Sequence, residues 1–226
     1  MTTGEAAVVL GVTQREARRL AQTGDLLVAG TVGRALLLDS ASVHRAAGTT
    51  ARHGRPWNQQ TAWAAINLLN GGKATWLGES ERSRLKSRLI RRTTAEELNW
   101  LARRRAKTST YRASTSYLTD VQRALVASGV ADTGRTDVDF GLAPRRDHAE
   151  GYTDAAGVAS VVDYYELVPD PTGNVTIHET SCVAGLRMGS SAALTAVDLA
   201  GSLDTRERSA GLRVLRELLR SIGAQA

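Results

Sequence analysis

Read for the periodicity of its apolar positions, the chain opens on two short helices. In "TTGEAAVVLGVTQREARRLAQTGDLL" the apolar positions Ala7 and Leu10, then Ala17 and Leu20, recur at helical spacing around Gly11 and Val12. Thr13 is a natural N-cap, with Glu16 three residues on at the capping-box position. "DLLVAGTVGRALLLD" is two apolar runs around Gly30–Gly33, the pattern of a hairpin, and "SASVHRAAG" reads as a short closing helix. After Gly54 and Pro56 three more helices are predicted, through "NQQTAWAAINLLN", "ESERSRLKSRLIRR" and "TAEELNWLARRRAK", the last capped by Thr94. Trp63 and Ile66 share one stripe of the first of these. Beyond Thr110 the pattern is mixed. A helix through "SYLTDVQRALVASG" precedes extended segments "TDVDFGLA", "VVDYYELVPD" and "NVTIHET", the last two joined as a hairpin by the turn Pro169–Gly173. Helices through "SAALTAVDLAGS" and "TRERSAGLRVLRELLRSIG" close the chain, the last with Leu212, Leu215, Leu219 and Ile222 as its inward stripe. The fold class is therefore α+β: a winged helix-turn-helix over residues 1–50, an Arg-rich helical middle over 51–110, and a mixed α+β domain over 111–226.

Charge sharpens this division. Residues 1–110 hold 18 Lys+Arg against 8 Asp+Glu, a net of +10, and residues 111–226 hold 11 against 15, a net of −4. A basic module releases counterions from a phosphate backbone, whereas an acidic one is repelled by it, so double-stranded DNA is assigned to the first half and a second partner to the other. On the second helix the face opposite Ala17 and Leu20 carries Arg15, Arg18, Arg19 and Gln22, entered through Thr13 and Gln14, and is expected in the major groove. Arg34, at or beside the wing tip, is expected on a phosphate or in the minor groove, and Arg52 and Arg55 at the joint with Arg84, Arg88, Arg91, Arg92, Arg103 and Arg104 in the middle segment are expected on phosphates. The four tryptophans, Trp57, Trp63, Trp76 and Trp100, read as core anchors of the middle segment.

Other chemistry is weakly supported. "GGKAT" lacks the earlier glycine of a phosphate loop, and "AGLRMGSSAAL" has Arg187 and Met188 inside its glycine pattern. His148, His178, Glu179 and Cys182 make a poor ligand set, and Cys182 reads as a small core residue. No catalytic activity, metal or cofactor is expected. The lone cysteine, the absence of ~18 consecutive apolar residues and the polar N-terminal stretch suit a cytoplasmic protein without a membrane span.

The N-terminal stretch resembles the MerR-like and excisionase-like winged helix-turn-helix families. The order of the segments, with "EAAVVLGVTQREARRL", "ALVASGVADTG", "GNVTIHET" and "AVDLAGSLDTRERSAGLRVLRELL", resembles the AbiEi family of bacterial toxin–antitoxin antitoxins. That resemblance implies a transcriptional autorepressor binding its own promoter, whose C-terminal domain counters an AbiEii-type nucleotidyltransferase toxin. An excisionase-like accessory factor of a mobile element and an enzyme with a DNA-targeting domain are the alternatives. Monomer and dimer both remain open.

Overall fold

The structure, a computed structural model, describes residues 1–33, 35–50, 55–134 and 136–224. It is mixed α+β and falls into two compact units, Met1–Arg55 and Pro56–Ala226.

The first unit runs α1 (Thr3–Leu10), α2 (Gln14–Gln22), an antiparallel hairpin of β1 (Val28–Val32) and β2 (Ala35–Leu38), and α3 (Ser40–Thr50). Local chemistry dictates most of it. Thr2 and Glu5 close a capping box on α1, and Gly11 ends that helix with φ 65°, a left-handed conformation that favours glycine. Thr13 then accepts from the Glu16 amide to start α2. Thr2 bridges to Leu37 and the Leu38 amide donates to the Met1 carbonyl, at 2.7 Å, so the chain's first residues extend the hairpin. Ala6, Leu10, Ala21, Leu26, Leu38 and Val43 form the core. On α2 the inward pair is Ala17 and Ala21, with Leu20 half-buried rather than central. The hairpin reverses at Gly33, after Val32 pairs with Ala35, so Gly30–Val32 are strand rather than loop.

The second unit places helices on both faces of a five-stranded sheet. Its elements are α4 (Gln59–Leu69), α5 (Glu79–Arg92), α6 (Ala95–Ala102), β3 (Lys107–Arg112), α7 (Leu118–Ala124), β4 (Val126–Ala127), β5 (Ala149–Thr153), α8 (Ala155–Tyr164), β6 (Val168–Pro169), β7 (Val175–Glu179), α9 (Val183–Leu186), α10 (Ala192–Gly201) and α11 (Thr205–Ala224). The sheet order is β4-β5-β7-β3-β6, with β5 parallel to β7 and every other pair antiparallel.

Side-chain alternation divides the two sheet faces. Ala149, Val175 and Ile177 meet Leu118, Val121, Leu125 and Val161 of α7 and α8 and their flanks. The opposite face belongs to the larger core of α4, α5, α6, α10 and α11, centred on Trp63, Ile66, Leu89, Leu194, Val197 and Leu215. α4 is buried nearly all round, which its run of alanines permits.

Five expectations change. The Arg-rich middle is not a separate body, because its helices share a core with the C-terminal half. Divided at the observed boundary, the units carry 7 Lys+Arg against 4 Asp+Glu and 22 against 19, so each is net +3 and the +10/−4 contrast is not a contrast between compact units. The expected β6–β7 hairpin does not form; both strands pair with β3, which lies between them. "VVDYY" ends α8, whose N-terminus is capped by Asp154 accepting from the Gly157 amide, and "TDVDFGLA" forms no strand among its described residues.

Candidate nucleic-acid interface and a buried polar centre

On α2 the side chains of Thr13, Gln14, Arg15, Arg18, Arg19 and Gln22 are all exposed. They are not equally available. The Gln14 amide donates to the Thr3 hydroxyl at 3.1 Å, fastening the start of α2 to α1. Both Glu16 carboxylate oxygens accept from Arg19, at 2.8 and 2.5 Å. That pairing raises the Arg19 guanidinium pKa and leaves Arg15 and Arg18 as the outward cations of the helix. Arg34 and Arg52 lie outside the described residues. Arg55 is exposed at the end of the unit.

In the second unit α5 presents a basic surface. Arg84, Arg91 and Arg92 are exposed, with Ser80, Ser83 and Ser87 on the same outward side. Leu85 and Leu89 hold the inner side. An open cleft along one flank is lined by Lys73, Thr75, Arg82, Ser83 and Lys86 with Glu79, and another by Ser87, Arg88, Arg91 and Arg92 with Glu97. Lys73 comes from the loop after α4, shaped by the Asn67 side chain, which accepts from the Ala74 amide at 2.6 Å. Sequence spacing alone gave Lys73 no role because its partners are supplied by a different helix.

Two other expected phosphate contacts, Arg88 and Arg103, have structural duties. Arg88 sits 5.4 Å from the Trp57 ring centroid and bonds Glu97 at 3.1 Å. Arg103 stacks on the Trp100 ring with its guanidinium carbon 3.3 Å from the centroid. Arg103 and Arg104 lie in the turn after α6, not on a helix, and both are half-buried. Trp63 is fully buried, whereas Trp57, Trp76 and Trp100 are half-buried.

A second constellation was not anticipated. Residues at alternate positions of adjacent strands, Thr108, Glu150, Tyr152 and His178, share the sheet face turned towards α10. The Arg105 guanidinium, from the turn before β3, donates to Asp198 of α10, and to the Tyr152 hydroxyl at 2.6 Å. Tyr152 donates to the same Asp198 oxygen at 2.6 Å, and Ser128 donates to the other. His178 is stacked on Tyr152 with centroids 4.6 Å apart, its Nε2 3.0 Å from Glu150 and its Nδ1 2.9 Å from the Thr108 hydroxyl. The Trp63 indole nitrogen donates to Thr180 and to the Arg105 carbonyl.

Electrostatics favour the ionised carboxyl of Asp198 and the protonated phenol of Tyr152. Burial opposes ionisation of Asp198, but the Arg105 charge and the hydrogen bonds from Ser128 and Tyr152 outweigh it and keep the carboxyl below its ordinary range. Burial pushes the Tyr152 phenol well above its usual value. Ligand atoms of Glu150, His178 and Asp198 lie within 4.8 Å of one another, the spacing of a metal site. The Asp198 oxygens, however, already receive Arg105, Tyr152 and Ser128, so the resident cation is the guanidinium. Of the four residues that sequence proximity suggested as ligands, only His178 belongs here. His148 faces Thr176 at 3.1 Å, Glu179 lies 4.0 Å from Lys107, and Cys182 is buried in the main core with its thiol pKa raised by burial.

Comparison of the chain with protein-family models, curated proteins and solved structures returned no match. Among the described residues no helix is long and apolar enough to cross a membrane.

Proposed function

We propose that this chain binds double-stranded DNA in a sequence-specific way through α2, as a winged helix-turn-helix protein, and represses transcription at its own promoter. The observation that carries the reading is the outward face of α2. Arg15, Arg18 and Gln22 project to solvent from a helix whose other side is fixed by Ala17 and Ala21, and whose first turn is tied to α1 by Gln14. Arginine and glutamine side chains there have the donors and acceptors that read base edges, each good bidentate pair being worth about 1–3 kcal/mol of discrimination. The antiparallel hairpin after α2 is the element such proteins use as a wing. The basic flank of α5 supplies sequence-independent phosphate contacts from the second unit.

The resemblance to AbiEi-family antitoxins extends this proposal to an antitoxin role against a nucleotidyltransferase toxin. The decisive experiment uses the full chain and a labelled fragment from upstream of its own reading frame. At ~150 mM salt, where the phosphate term is weakened, that fragment is bound in preference to random duplex of the same length. Equal affinity for both would sink the repressor reading.

A further inference from the structure

We infer that the end of α8, with the tyrosines beside it, is a docking surface for an arginine-bearing segment of a partner protein. Tyr164 is 81% exposed, Tyr117 47% and Val168 62%. The three tyrosines form one cluster, since Tyr165 packs against Tyr164 with centroids 4.9 Å apart and against Tyr117 at 5.9 Å. Exposed tyrosines beside an apolar side chain are the composition of interface centres, where a large amphipathic ring is ordered at little entropic cost.

The charge and backbone at this place are arranged against stability. α8 ends in a Schellman motif: the Leu167 amide donates to the Val162 carbonyl at 2.9 Å and the Glu166 amide to the Asp163 carbonyl at 3.3 Å. The position this motif reserves for glycine is held by Glu166, in a left-handed conformation with φ 51°. Asp163 and Glu166 also put two negative charges at the helix C-terminus, where the dipole disfavours them, and the last turn has no basic residue. Neither carboxylate has an ion-pair partner among the described residues. The nearby exposed arginines are already committed, Arg123 to Asp120 and Arg112 to Asp170.

A partner's arginine answers the exposed rings and the unpaired charges of this arrangement. Its guanidinium stacks on Tyr164 and pairs with Asp163 or Glu166, while the apolar part of its stem covers Val168. Charge selects this occupant, because the patch is negative on a chain of net charge +6 and so attracts cations that the rest of the molecule repels. The inference does not depend on DNA binding by the first unit.

The test titrates the full chain into a fluorescein-labelled peptide of alternating arginine and glycine, with alternating glutamate and glycine as control, at ~150 mM salt. The arginine peptide binds and the control does not. Tyr117→Ala with Tyr164→Ala, which leaves every acid in place, weakens binding about tenfold, the effect of truncating a single hot-spot side chain. Glu166→Gly weakens it as well while raising Tm by about 2–4 °C, because glycine relieves the left-handed residue. A purely structural glutamate would lower Tm on substitution, and that result overturns the proposal. So does equal binding of the two peptides, binding untouched by either variant, or a dimer of the chain that Tyr164→Ala dissociates.

Discussion

Arg105 and Asp198, 93 positions apart, form a buried ion pair that joins the Arg-rich stretch to the C-terminal half of the chain. The Asp198 side chain is only 1% exposed, so removing its guanidinium leaves a buried charge without compensation. Arg105→Ala is expected to cost about 3–5 kcal/mol. Asp198→Ala strands Arg105 in the same way, and the double variant loses well less than the sum of the two singles. Urea unfolding of the four proteins measures this, and simple additivity would show that the pair does not act as a unit. Because the folded-state pKa of Asp198 is depressed, its contribution is present above the unfolded carboxyl value near 3.8 and is lost as pH falls below it.

This pair also changes which arginines test DNA binding. A variant removing Arg103, Arg104 and Arg105 together would damage the fold, through Arg105 and through the Arg103–Trp100 stack. Arg84 and Arg91, exposed on α5, are the appropriate probes of phosphate contact. Replacing both with alanine is expected to weaken every duplex about equally and to lower the slope of log K against log salt by about 0.9 for each phosphate no longer neutralised. Arg15→Ala with Arg18→Ala instead reduces the preference for the upstream fragment over random duplex. Arg19→Ala has the smaller effect because Glu16 already holds that guanidinium. Equal loss of preference from the α2 and α5 variants would contradict this division of roles.

The first unit was legible because its signals are local. Gly11 between helices, Thr13 as a cap and an apolar hairpin pattern each act over a few residues, and each forms. The second unit was less legible where local preference and tertiary context disagree. Lys107 reads as the tail of an Arg-rich helix, yet the turn after Ala102 closes through the Arg103 and Arg105 amides and frees "KTSTYR" to become the strand pairing with both β6 and β7. "VVDYY" reads as a strand by β-branching, but Asp154 has already started a helix upstream. The buried centre could not be read at all. Arg105 is one of three consecutive arginines, its partners Tyr152 and Asp198 come from two distant elements, and Ser128, which also holds Asp198, comes from a third.

Packing between α9 and α4 gives a sharp test of the larger core. A methyl group on Gly185 would lie 2.4 Å from Trp63 Cδ2, and Trp63 cannot retreat because its indole nitrogen is fixed to Thr180 and the Arg105 carbonyl. Gly185→Ala is expected to destabilise by about 1–3 kcal/mol, in the range of overpacked cores. Gly141→Ala serves as a contrast, since it meets nothing within 4 Å and strains only a left-handed turn residue. Denaturant midpoints compare the two, and a larger loss at Gly141 would refute this account of the core.

His148 sets the pH response nearer neutrality. Burial lowers its pKa from the ordinary 6.5, and the Arg145 charge acts in the same direction against the opposing pull of Glu150. The folded protein therefore holds the ring neutral at a pH where the unfolded chain has begun to bind a proton. By linkage its contribution is complete above about pH 6.5 and falls as pH drops through the folded-state value, so stability declines on mild acidification well before Asp198 titrates. His148→Gln keeps a group able to bond the Thr176 hydroxyl, which lies 3.1 Å from Nε2 in the parent, but cannot charge. Its urea midpoint should be flatter than the parent's between about pH 5 and 7, the interval in which an unfolded histidine takes up its proton. An unchanged slope over that interval would mean that His148 is as easily protonated folded as unfolded.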